Sequence, residues 1–480
     1  MSDPLNRHPS PDTLTRPAST DAAIVASGIH KRSSLPTDSA EDPKKLLIVQ
    51  LAALSTECAE RLNPVPGGIT FKPLQSVFPA VTCTAQASFR TGTLPSQHGM
   101  ISNGVYHHRL KKILFWEQAA SLVEGPRIWD AFRAQGGTVG ILFWQQSLGE
   151  SADLIVSPRP IHKHSGGMIQ DVYTEPHGLY DSLCKQIGRK FNLMNYWGPL
   201  ASHKSSDWIV ESIGAVLSQP DLAPDLLLAY LPNLDYDLQR HGSGHPSVQR
   251  AINQTQAYLD TLYAQAQAAG YELLLVGDYA IRNAPHGAVL PNLALREAGL
   301  FLTQNVKGMA YPDFFAGKAF AMVDHEVAHV YVPDTARLTE TRDLLSALSG
   351  VEKVLDREAQ AQCGLDHANS GDFVLVAEEG YWLAYPWWTD NREAPDFSTH
   401  VDIHNKPGFD ACELFFGWPP GSVSRDTSRV KGSHGKTGPG REIAWGTTLN
   451  LPGNPTDLAE LGQAVKAWLD GAHASSGSTT

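Results

Sequence analysis

The sequence predicts an α/β protein, a mostly parallel sheet between helices with a smaller α+β unit inserted late in the chain. Three observations predict it. The runs "LLIVQLA" (Leu46 to Ala52), "TVGILFW" (Thr138 to Trp144), "LLLAYL" (Leu226 to Leu231) and "ELLLVGD" (Glu272 to Asp278) are apolar without alternation, the signature of strands buried on both faces. Helical segments separate them, among them Pro246 to Ala269, closed by Gly270. After about Leu300 the character changes to short strands and a helix, which marks the inserted unit.

Taken in order, Met1 to about Lys45 is rich in Ser, Pro, Thr and Asp without apolar periodicity, and reads as a mobile leader. The first core segment follows over 46–300. The insertion covers 301–398, with a strand "AHVYV" (Ala328 to Val332), a helix near Thr335 to Ser349, and a hairpin "FVLVAEEGYWLAYP" turning at Gly380. Its aromatic run "YWLAYPWW" (Tyr381 to Trp388) reads as the core of that unit, with a lid over a site as the other reading. The chain returns to the core over 399–470 and ends in a polar tail, 471–480.

Composition narrows the class. With 42% hydrophobic and 18% charged residues, the 480-residue chain has the balance of a globular enzyme. A net charge of −12 argues against a nucleic-acid polymer as partner, while leaving room for a local pocket for one phosphate. No apolar run is long enough for a membrane span, and the N-terminus lacks the pattern of a secretory signal. Five scattered cysteines fit reduced thiols, so a cytoplasmic protein is expected.

The chemistry concentrates in "VFPAVTCTAQASFRTGTLPSQHGMISNGVY" (Val77 to Tyr106). After Pro79 it reads as a strand-to-helix turn, with Thr82 or Thr84 near the helix start and Gly92 near its end. Free N–H groups at such a start attract an anionic phosphate. The stretch resembles the alkaline phosphatase superfamily, most closely its nucleotide pyrophosphatase/phosphodiesterase branch. Thr82 stands nine residues before Thr91-Gly92, followed by Pro95-Ser96-Gln97-His98-Gly99 and then Asn103.

The resemblance implies an alkaline-phosphatase-like core with a cap and a metal-dependent hydrolase of small phosphate esters, most closely phosphodiesters or nucleotide pyrophosphates. It implies Thr82 as nucleophile, passing through a phosphothreonine, and Asn103 as a ligand of a phosphoryl oxygen. Phosphonate or sulfate ester hydrolysis, and a weakly catalytic phosphate-ligand-binding role, are the rival readings. The cofactor it implies is zinc. A first site of Asp-x-x-x-His plus a distant His-Gly corresponds to Asp237, His241 and His434, with Asp235 and His245 as nearby alternates.

The second site departs from the family pattern. The family's Asp-Gly after the first strand is Ala52-Ala53, and its Asp-His is Asp278-Tyr279, leaving Asp278 and Thr82. One tight zinc is therefore expected. Asp324, His325 and His329, or Asp402, His404 and Asp410, are possible substitutes, with Asp402 and His404 sharing one face if they lie on a strand. Arg282 and Lys431 are the cations considered in place of a lost ion.

Overall fold

The computed structural model describes residues 45–162 and 168–474. The leader expected before residue 45 and the tail after residue 474 lie outside these residues. The protein is an α/β fold built on an eight-stranded sheet, with helices packed against it.

Its strands in chain order begin with β1 (Lys45–Leu51), β2 (Lys72–Leu74), β3 (Val139–Leu142), β4 (Leu154–His162), β5 (Met168–Glu175), β6 (Leu226–Leu231) and β7 (Tyr271–Gly277). A second, four-stranded antiparallel sheet follows: β8 (Phe320–Asp324), β9 (Val327–Tyr331), β10 (Val351–Leu355) and β11 (Phe373–Ala377), in the order β8-β9-β11-β10. The last strand, β12 (Ile443–Thr447), rejoins the first sheet, whose order is β2-β12-β7-β1-β6-β3-β4-β5. Its centre, β7-β1-β6-β3-β4, is parallel throughout. Every residue of β6 is buried, as its unbroken apolar run requires.

Five helices matter below: α1 (Thr82–Thr91), α2 (His203–Leu217), α3 (Asn233–His241), α4 (Pro246–Ala268) and α5 (Leu458–Ala474). Helix α1 ends as its sequence dictates, with Gly92 at φ 65° supplying the left-handed cap. The apolar faces of α2 and α4 close over the sheet through Trp208, Ile213, Leu259 and Leu262. Helix α5 extends to Ala474, four residues into the segment read as a tail.

Three expectations need correction. The strand read over Thr138–Trp144 stops at Leu142, because Phe143 turns to φ 63° and leaves the extended region. The segment turning at Gly380 is not a hairpin. Strand β11 already has β9 and β10 on its two edges, so Tyr381–Leu383 pairs instead, in parallel, with Gly287–Val289. Residues 401–410 form no strand, since the Asp402 carboxylate accepts the N–H groups of His404 and Asn405 and holds a turn.

The aromatic run is core. Tyr385, Trp387 and Trp388 pack edge-to-face with one another, and they bury against the second sheet's cluster.

Candidate active site

The carboxyl ends of β1, β6 and β7 are level: Leu51 pairs with both Leu231 and Gly277. The next residues, Ala52, Pro232 and Asp278, therefore open onto one place, where open α/β sheets bind ligands. The backbone there is tightly drawn. A Cβ at Gly277 would lie 2.1 Å from the Leu54 carbonyl oxygen, so only glycine fits. Ala53 takes φ 58° in the register where the resemblance places a glycine, and its N–H donates to Asp278 Oδ1 at 3.0 Å.

A cavity of about 100 Å³ lies beyond these strand ends. Thr82, the first residue of α1, forms part of its floor, and Thr82 Oγ1 is 3.5 Å from the Tyr230 hydroxyl on β6. Thr84 is buried away from this cavity, as two steps around a helix require. The neighbouring N–H of Cys83 is capped by Asn103 Oδ1 at 2.9 Å.

Asn103 also donates from its side chain to Asp324 Oδ1 (3.1 Å) and from its backbone to Asp324 Oδ2 (2.8 Å). Ser102 Oγ donates to Asp324 Oδ2 at 2.6 Å. The remaining partner of Asp324 is His325 Nδ1, at 2.7 Å from Oδ1. His325 sits at the tip between β8 and β9 with φ 62°, a left-handed conformation uncommon outside glycine. Two backbone bonds hold the tip: Leu383 N–H donates to the His325 carbonyl (2.7 Å), and Glu326 N–H donates to the His434 carbonyl (2.8 Å). The His325 ring lines the cavity, and its Nε2 has no hydrogen-bond partner.

His434 stands between two rings. Tyr279 stacks on it at 3.5 Å between centroids and 1° between planes, and His325 lies 3.7 Å away, tilted. Its Nδ1 is 2.8 Å from the Ala80 carbonyl, which assigns the proton to Nδ1. Burial, then the neighbouring His325, pushes the His434 imidazole well below its ordinary range.

The structure does not bring Asp237 and His241 to His434. Both lie on the outer face of α3, each about one third exposed, paired with each other at 3.8 Å, and neither lines the cavity. Two residues along a helix is a turn of about 200°, so the inward face with the same spacing carries Asp235 and Gln239. Asp235 Oδ1 accepts the Tyr279 hydroxyl at 3.0 Å, and Gln239 Nε2 donates to both Asp235 oxygens at 2.9 and 2.7 Å. Burial raises the Asp235 carboxyl above the usual range. His245 caps α4 instead, its Nδ1 accepting the Ser247 N–H.

The other candidates divide as follows. Asp278 is fully buried, its Oδ1 accepting the Ala53 and Tyr279 N–H groups while Oδ2 has no partner. Burial, opposed by the Ala53 bond, raises its carboxyl far above the usual range. Asp402 reaches the cavity, whereas His404 Nδ1 bonds the Phe115 carbonyl. His329 is a satisfied core histidine, bonded to the Ile101 carbonyl and the Gly371 N–H. Arg282 pairs with Glu57, and Lys431 donates to the Ser428 carbonyl; neither lines the cavity.

The cation that does line it is Lys406, which sequence reasoning missed. Its ammonium is buried against Asp410 (2.7 Å) and Glu413 (2.6 Å). Aromatic side chains complete the wall, chiefly Trp116, Tyr196, Trp197 and Phe409.

The zinc expected from the resemblance does not fit these residues. At the positions of its ligands, Ala52 has no donor atom and Gln239 presents an amide N–H. Tyr279 is a phenol that donates to Asp235, far from the phenolate a metal needs because burial raises its pKa. Among the described residues, no group of three or more His, Cys, Asp or Glu is arranged to hold a metal ion.

A protein-family model described as type I phosphodiesterase/nucleotide pyrophosphatase matches residues 51–410, three quarters of the chain. The chain belongs to this family. It is thus a member of a family of phosphoric ester hydrolases, and its fold is the alkaline-phosphatase-like one of its structural neighbours.

Phosphonoacetate hydrolase from Sinorhizobium meliloti 1021, solved with phosphonoformate, is 16% identical, with a TM-score of 0.58 over 89% of this chain and 96% of that one. Murine ectonucleotide pyrophosphatase/phosphodiesterase 5 is 13% identical, with a TM-score of 0.51 over 89% and 95%. The human form of the latter is 14% identical, with a TM-score of 0.51 over the same shares. At these identities the likeness shows the fold. No curated protein sequence matches the chain significantly. Among the described residues, no helix is long and apolar enough to cross a membrane.

Proposed function

We propose that this family member hydrolyses a small phosphoric ester, or a related phosphonate, in the cavity at the sheet's carboxyl edge, with Thr82 as nucleophile. The observation that carries the reading is the position of Thr82, at the amino end of a ten-residue helix and on the floor of that cavity. The cavity's volume of about 100 Å³ holds roughly seven to ten water-sized groups, which favours a compact substrate over a dinucleotide. The phosphonoacetate hydrolase neighbour supports including phosphonates.

The chain's own residues supply a route without a metal. Thr82 Oγ attacks phosphorus, its proton passes to His325 Nε2, and the bond from phosphorus to the leaving oxygen breaks. His325 is the better acceptor of the two cavity histidines, because the Asp324 carboxylate holds its Nδ1–H and stabilises the imidazolium that forms. His434, stacked between rings and bonded to a neutral carbonyl, has no such partner. The amino end of α1 favours the negative charge that gathers on the phosphoryl oxygens. The departing oxygen takes up a proton from solvent and His325 releases its own. The neutral imidazole then accepts a proton from the water that attacks the phosphothreonine. The Thr82 Oγ–P bond breaks, and the alkoxide recovers its proton.

Replacing Thr82 with Ala is expected to cut turnover of a nitrophenyl phosphodiester by about 10³-fold or more with the fold retained. His325→Ala is expected to cost about 10²- to 10⁴-fold. Mass spectrometry of quenched wild type should locate a phosphoryl group on Thr82. Near-normal turnover in Thr82→Ala would end the nucleophile assignment.

A further inference from the structure

The family resemblance calls for a pair of metal ions, and the residues at that place do something else. Each ion would need unprotonated donors left open towards it. Asp235, one of the few suitable groups retained, is closed off instead: the Tyr279 hydroxyl and the Gln239 amide give its two oxygens three hydrogen bonds. Tyr279 stands where the family has a histidine, and it spans the remaining gap. Its ring lies flat on the face of His434 while its hydroxyl reaches Asp235, so one side chain packs against both retained first-site residues. On its other side His434 meets His325. Ala52, fully buried beneath, contributes no oxygen.

We infer that this chain works without a resident metal, a hydrogen-bonded cluster of Tyr279, Gln239 and Asp235 having taken the ions' place. The inference stands on the geometry around Asp235 and His434, not on Thr82 being the nucleophile. Two ions would neutralise buried carboxylates; here a hydroxyl and an amide N–H donate to Asp235 instead. The substitutions are also mutually consistent. A histidine at 279 would lack the hydroxyl that bonds Asp235, and a histidine at 239 would lack the amide that donates to both oxygens.

Elemental analysis tests this directly on the full chain, expressed with zinc and manganese in the medium and then dialysed against buffer. Fewer than about 0.1 metal ions per chain are expected, with a melting temperature unmoved by EDTA or added zinc chloride. Half an equivalent or more of any divalent metal, removed by EDTA with a fall in melting temperature, would overturn the inference. The variant Ala52→Asp, Gln239→His, Tyr279→His is expected to retain zinc and to melt higher when zinc is added. If it folds yet binds none, the positions have been assigned wrongly. If it does not fold, the wild-type analysis decides alone. Because metal content is read apart from turnover, a failed Thr82→Ala result and a failed metal result are distinguishable.

Discussion

The floor and the wall of the cavity are built on different principles. The floor comes from the level ends of β1, β6 and β7 and the start of α1, where backbone register fixes every Cα. Its carboxyls meet neutral donors: backbone N–H groups on Asp278 and the Tyr279 hydroxyl on Asp235, with burial raising both carboxyls. The wall comes from the β8–β9 tip and the 402–414 loop, and it carries a compact ion-pair triad of Lys406, Asp410 and Glu413. A sheet edge can keep its shape while its side chains change chemistry. A loop wall depends on its charges for its shape.

Acidification should fail both regions together, the largest effect expected. His434 on the floor side, His329 behind the wall hairpin, and His98 near α1 are all buried and neutral. Burial lowers His434 well below the usual range, His329 to about 4 and His98 to about 3. The unfolded chain binds protons at these sites below about pH 6.5, and the folded chain resists. Their stabilising contribution is therefore complete above about pH 6.5 and is lost as pH falls, down to about 4 for His329 and about 3 for His98. Each adds up to about 1.4 kcal/mol of loss per pH unit. Denaturant titrations between pH 7.5 and 4.5 should show this slope. The raised carboxyls of Asp278 and Asp235 oppose this slope, so a flat profile to pH 5 would mean that they offset the histidines or that these imidazoles are charged or exposed.

Lys406→Met should damage the wall alone. It leaves two buried carboxylates without their cation, at a cost of about 3–5 kcal/mol. Chemical denaturation reads this cost. A loss under about 1 kcal/mol would show that Asp410 and Glu413 share a proton and need no ammonium.

The smallest effect belongs to Asp237→Ala with His241→Ala. The pair faces solvent on the far side of α3, so the double variant should lie within about 0.5 kcal/mol of wild type, with turnover unchanged. A large fall in turnover would return these residues to the site.

Why the sequence read well in one region and poorly in the other follows from this division. The strands were legible because burial on both faces leaves unbroken apolar runs; β6 matches its run residue for residue. Thr82 was legible because a strand-to-helix turn keeps its spacing to Thr91-Gly92. The first site is illegible on α3 because the Asp-x-x-x-His pattern ends at His241, which lies on the outer face. The alternation of buried Leu234 and Leu238 with neighbouring Asp235 and Gln239 marks the inward side, a signal the motif overrode. Lys406 and Phe409 left no local trace. Their meeting with Thr82, more than three hundred residues earlier in the chain, is set by tertiary packing.

The level register of Leu51, Leu231 and Gly277 has a genetic consequence. The backbone positions for a metal centre persist whatever side chains occupy them, since their hydrogen bonds run through main-chain atoms and the Asp278 carboxylate. Alanine to aspartate, glutamine to histidine and tyrosine to histidine each require one base change, from a suitable synonymous codon. On the metal-free inference, three point mutations would therefore separate this chain from a metal-binding donor set on the same scaffold. Membership alone says little about which kind of centre a given protein holds; residues 52, 239 and 279 are where the metal-free inference rests for this one.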